Sequence, residues 1–138
     1  MENSRVCDLA ATYNPSEGPT DSGVHMAIEM IQAQGMPVGK TTFETIVWIG
    51  RFVQAFGGDE DTYTRIYRRE VKAELCNSQR ANDANVRRAL LDRFPRTGGG
   101  KEPAIGTKKQ PGPLYGLSSH AISALAVGVT WEALYGQD

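Results

Sequence analysis

The stretch 24–31, Val-His-Met-Ala-Ile-Glu-Met-Ile, constrains this chain more than any other part of it. It is an apolar run of strand length with a carboxylate, Glu29, set inside it. The loop Gln34-Gly35-Met36-Pro37-Val38-Gly39-Lys40 follows at once, and then a strongly patterned helix. A carboxylate buried in a strand costs several kcal/mol unless its charge is compensated. A basic partner, a metal ion or a strand-end position facing a cleft would each do so.

The remaining elements alternate around that strand. Residues 3–13 read as a short helix with Val6, Leu9 and Ala10 on one side, and 14–23 as a loop dense in Pro, Gly, Ser and Asp. A helix over 41–56 opens with Thr41 and Glu44 in capping-box spacing. It carries Phe43, Ile46, Val47, Ile49, Val53 and Phe56 at helical intervals, and Gly57-Gly58 stops it. This stripe is expected to pack on the sheet. Residues 63–68 alternate as a short strand with one wetter face. Helices over 70–76 and 85–94 come next, then a flexible basic loop over 95–113 and a last helix from Ser118 or Ser119 to about Tyr135. Strands separated by helices predict an α/β layered domain. Two convincing strands make a poor sheet, so the strand count looks incomplete.

A chain of 138 residues suits one compact domain over 1–138. Its 40% hydrophobic and 22% charged residues exclude wholesale disorder. The net charge of −1 is unevenly spread. Residues 1–30 set Glu2, Asp8, Glu17, Asp21 and Glu29 against Arg5 alone. Residues 80–109 set Arg80, Arg87, Arg88, Arg93, Arg96, Lys101, Lys108 and Lys109 against Asp83, Asp92 and Glu102. Such segregation suits a surface facing a polyanion, or equally a solvated helix and loop. Cys7 and Cys76 fit no metal spacing or disulfide framework, and the amino terminus is no secretory signal. No apolar run approaches membrane-spanning length. A cytoplasmic protein with reduced thiols and no membrane partner is the expectation.

Three constellations bear on chemistry. The segment 35–41 imitates a phosphate-binding loop, but only three residues separate Gly35 from Gly39, and Pro37 removes a backbone donor. A nucleotide binder is therefore the third choice. The second constellation joins Glu29 to His120 and Ser123, three residues apart on one face of the last helix. A strand carboxylate with oxygen or imidazole ligands from a helix start can hold a hard divalent cation. The plainer reading leaves His120 and Ser123 solvated. The third is the basic set Lys72, Arg80, Arg87, Arg88, Lys101, Lys108 and Lys109, interleaved with Tyr67, Tyr115 and Gly-rich turns. Lys and Arg neutralise phosphates without reading sequence, and glycines permit close approach to a backbone.

Taken together these residues resemble RuvC-type Holliday junction resolvases of the phage and prophage branch, within the ribonuclease H-like superfamily. The resemblance rests on Ala27-Ile28-Glu29-Met30-Ile31, Gly35-Met36-Pro37-Val38-Gly39-Lys40 and Thr45-x-x-Trp48-Ile49-Gly50-Arg51. It continues through Tyr67-Arg68-Arg69-Glu70-Val71-Lys72, Asp83-Ala84-Asn85-Val86-Arg87 and Ala89-Leu90. It ends in Gly112-Pro113-Leu114-Tyr115-Gly116 with Ala124-Leu125-Ala126-Val127, so that about residues 24–135 are covered in family order.

The resemblance implies a ribonuclease H-like mixed sheet flanked by helices and a structure-specific DNA endonuclease using two Mg²⁺ (or Mn²⁺) ions. Glu29 matches the family's strand Glu. His120 matches the first acidic position of the last helix, and Ser123 falls where many relatives have the second acid. The basic set would contact branched or duplex DNA, and a homodimer is a further expectation. The family's first-strand Asp motif has no counterpart; Asn14-Pro15-Ser16-Glu17-Gly18 is a faint echo. A chain that begins after the family's first three strands would explain both this and the incomplete sheet. The alternative is a catalytically inactive resolvase-like protein that still grips DNA.

Overall fold

A computed structural model describes residues 2–13, 24–32, 35, 37–57 and 61–136. The expected 14–23 loop, Gln34 and Met36 of the phosphate-loop imitation, and Gly58 lie outside the described residues. The chain is mixed α/β. Among the described residues it has five helices and one two-stranded parallel sheet. Its contacts divide it into two compact units, Met1–Tyr67 and Arg68–Asp138.

The first unit holds α1 (Asn3–Thr12), β1 (Met26–Met30), α2 (Lys40–Ala55) and β2 (Tyr63–Tyr67). Parallel strands need a long crossover, and α2 provides it. The register runs from Met26 opposite Tyr63 to Met30 opposite Tyr67. A side-chain bond adds to the ladder, with His25 Nε2 and Thr64 Oγ1 2.7 Å apart. Burial lowers the pKa of His25 from its ordinary value. α1 packs against α2.

Three expectations fail in this unit. The strand is shorter than 24–31 and only half-buried, and the Glu29 side chain is exposed. Water already solvates that carboxylate, so the strand imposes no demand for a compensating charge. The stripe on α2 divides as well. Ile49 and Phe56 are buried and Val53 is half-buried, but Phe43 and Val47 are 59% and 62% exposed. Nor does the capping box form: the N-cap is Gly39, without a side-chain cap bond. Thr41 therefore lies inside the helix, where its carbonyl accepts from Thr45 Oγ1 at 2.9 Å, while Glu44 meets Lys40 at 3.7 Å.

The second unit packs α3 (Arg68–Cys76), α4 (Asp83–Asp92) and α5 (Ser119–Tyr135) against one another. α4 starts two residues earlier than expected, because Asn82 and Asn85 form a reciprocal capping box. Val71, Leu75, Val86, Leu90, Ile122, Ala126 and Val127 are buried along these helices. A second cluster of Leu91, Ala104 and Leu114, with Phe94, Ile105 and Leu125 against it, fixes the connector to the helices.

That connector is not the flexible loop expected over 95–113. Backbone N–H groups of Gly98, Gly99, Gly112 and Leu114 donate to the carbonyls of Pro103, Gln110, Ile105 and Ala104 at 2.8–2.9 Å. Gly106 and Pro111 form an antiparallel bridge. The glycines serve the loop's own closure. Gly106 has φ +78°, and a Cβ on Gly112 would strike the carbonyl oxygens of Pro103 and Ala104. The close approach expected toward a ligand backbone is made by the chain to itself.

Candidate functional site

The site residues expected from sequence fall into both units. Glu29 lies on β1 in the first, opposite Ile66 in the sheet register. His120 and Ser123 lie on α5 in the second. The start of α5 is set by Ser118, whose Oγ accepts from the Ala121 N–H at 3.2 Å. This places Ser119, His120 and Ser123 on the first turns of the helix, all exposed.

A cavity of about 290 Å³ opens beside that helix start, within the second unit. Val86 and Leu90 of α4 with Ile122 and Ala126 of α5 supply its apolar lining. Ser119, Ser123, Arg68, Asp83 and Arg87 supply the polar lining. Both arginines are paired. Arg68 Nη2 donates to Asp83 Oδ1, and Arg87 Nη2 donates to Glu102 Oε2 at 3.2 Å. The Arg68 hydrogen bond and then its charge hold the Asp83 carboxyl below the usual aspartate value, and Lys72 adds to the pull. The cavity therefore combines two serine hydroxyls with guanidinium groups already held by carboxylates. It can receive an oxygen-rich group, which the hydroxyls and arginine N–H groups would bond.

Of the expected residues, Ser123 and Arg87 thus meet in one cavity. Sequence reasoning missed Arg68, Asp83 and Ser119. Arg68 and Asp83 stand 15 positions apart, and nothing in their local pattern pairs them. The rest of the basic set is arranged around α4 and the glycine-locked loop. Arg80 and Arg88 line one hollow, and Arg88 and Lys101 line a second. Lys108 and Lys109 sit exposed on the turn that Thr107 N–H closes onto the Gln110 carbonyl at 3.0 Å. Lys72 is half-buried on α3.

Among the described residues, no group of three or more His, Cys, Asp or Glu side chains is placed to hold a metal ion. Nor is any described helix long and apolar enough to cross a membrane. No protein-family model, curated protein or solved structure matches the chain.

Proposed function

We propose that this protein acts on branched or duplex DNA as a RuvC-like, structure-specific endonuclease, with the ribonuclease H-like fold that this implies. One observation carries the reading. The motif series runs in a single order from Glu29 through Asp83-Ala84-Asn85-Val86-Arg87 and the Gly112-Pro113-Leu114-Tyr115-Gly116 turn into α5. The segregated basic set supports it, since phosphate contacts supply the sequence-independent part of DNA affinity.

The donors named for the metal do not by themselves fit a two-magnesium centre. Glu29 is the only carboxylate among them, His120 offers an imidazole and Ser123 a neutral hydroxyl, whereas Mg²⁺ takes oxygen ligands in octahedral geometry. Mn²⁺ accepts imidazole more readily. This donor set favours a second reading, a resolvase-like protein that grips DNA without hydrolysing it.

Incubation with a synthetic four-way junction and Mg²⁺ or Mn²⁺, beside a Glu29→Gln control, separates the two. Cleavage that disappears in Glu29→Gln supports the endonuclease. Junction binding without cleavage supports the second reading. No affinity for junction or linear duplex at low salt sinks both.

A further inference from the structure

The seven basic residues expected to face DNA are not equivalent. Arg87 is half-exposed and held by Glu102. Because Arg87 belongs to α4 and Glu102 to the glycine-locked loop, that pair ties the loop to the helix. Arg96 is likewise held by Asp92 at 2.8 Å. Arg80, Arg88 and Lys101 are exposed and make no ion pair among the described residues.

These three free cations share one surface. Arg80 and Arg88 flank a hollow of about 430 Å³ between the 76–81 turn and α4, together with Cys76, Ser78 and Asn85. Ser78 Oγ accepts from the Arg80 N–H, and Asn85 Oδ1 accepts from the Asn82 N–H. The Ser78 hydroxyl hydrogen and the Asn85 side-chain Nδ2 hydrogens therefore remain donors, while the Asn85 backbone N–H is given to Asn82 Oδ1. Arg88 continues into a smaller hollow of about 60 Å³ that Arg96 and Lys101 also line. The acids on this surface are Asp92, which lines both hollows, and Glu102, which lines the smaller one. Each already has its arginine. The uncompensated charge is positive and runs from the 76–81 turn along α4 to the base of the loop.

We propose that this strip, formed by Arg80, Arg88 and Lys101, is a phosphate track for the backbone of duplex DNA, with Arg87 as a structural tie outside it. The inference rests on the DNA reading above and deepens it. Unpaired cations and donors, on a surface whose two carboxylates are each held by an arginine, suit phosphate oxygens. Neither hollow has an aromatic side chain among its lining residues, so the strip offers no stacking platform for unpaired bases. It grips the backbone and is indifferent to sequence.

Cys76 gives the test a local reporter, because it lines the larger hollow while Cys7 lies on α1 of the first unit. Titrations of wild type, Arg80→Ala/Arg88→Ala and Lys101→Ala with linear duplex and four-way junction, at several salt concentrations, give the slope of log affinity against log salt. The double variant should lose up to about two units of slope and bind roughly tenfold more weakly or worse, and Lys101→Ala about one unit. Duplex should slow iodoacetamide labelling of wild-type Cys76 and leave Cys7 unchanged, a readout that needs no variant to fold. Wild-type binding with an unchanged slope in the double variant and unprotected Cys76 would overturn the track and leave the DNA reading standing. Absence of wild-type binding at low salt would overturn both.

Discussion

The two units use similar sequence patterns to different ends. In the second, most apolar residues at helical spacing are withdrawn from water: Val71 and Leu90 are fully buried, and Val86, Leu91 and Val127 nearly so, while Leu134 and Tyr135 at the end of α5 stand exposed. In the first, the buried apolar residues among those described are Ala10, Ile49, Phe56 and Ile66. Leu9, Tyr13, Val24, Ile31, Val38, Phe43, Ile46 and Val47 stand exposed. Periodicity reports that a helix has an apolar face. Whether that face is covered depends on elements distant in sequence. α3, α4 and α5 pack against one another, each with two facing helices, whereas the helix packed against α2 is α1 and the strands of this unit are two of five residues each.

The contrast can be broken most severely at Leu90. Truncation to Ala removes a fully buried side chain and should cost about 2–5 kcal/mol. Urea unfolding measures this, and a loss below about 1 kcal/mol would show that the second unit is no better packed than the first. A smaller effect is expected at the Arg68–Asp83 pair. The folded-state pKa of Asp83 is depressed, so its stabilising contribution is present above the ordinary value of 3.8 and is lost as pH falls through the lower folded value. The Asp83 side chain is 83% exposed, so solvent screens the pair. Asp83→Asn should lower stability slightly at every pH above 3.8, neutral pH included, converge with wild type in strong acid, and so flatten the acid limb between. Equal stability of the two proteins at neutral pH would show that the pair contributes nothing. The smallest effect is expected at Val47, where Val47→Asp replaces an exposed side chain and should shift stability by no more than about 0.5 kcal/mol. Unfolding of that variant would mean that the α2 face is covered in solution.

Much of the chain was legible from local rules. The first helix, observed over Asn3–Thr12, followed from apolar spacing, the end of α2 just ahead of Gly57 from the glycine pair, and the start of the last helix from its capping serine. The errors came where local signals competed or distant partners decided. Thr41 and Glu44 have capping-box spacing, yet the chain enters α2 at Lys40, behind Gly39. Gly98-Gly99-Gly100 reads as flexibility, because the carbonyls of Pro103 and Gln110 that fix Gly98 and Gly99 cannot be foreseen from composition. Glu29 read as a buried carboxylate because the strand looked apolar on both sides, and a two-stranded sheet leaves it in water. At the candidate site, the helix turn bearing Ser123 was readable and the Arg68–Asp83 pairing was not.

The locked connector also has a consequence in time. Its backbone bonds join residues close in sequence, Gly98 to Pro103, Thr107 to Gln110 and Ala104 to Leu114. Closing such short rings costs little chain entropy and proceeds rapidly compared with the assembly of distant segments. The connector can therefore form while α4 and α5 are still finding each other. The two helices then search for their packing at the ends of a link of fixed geometry, which narrows that search.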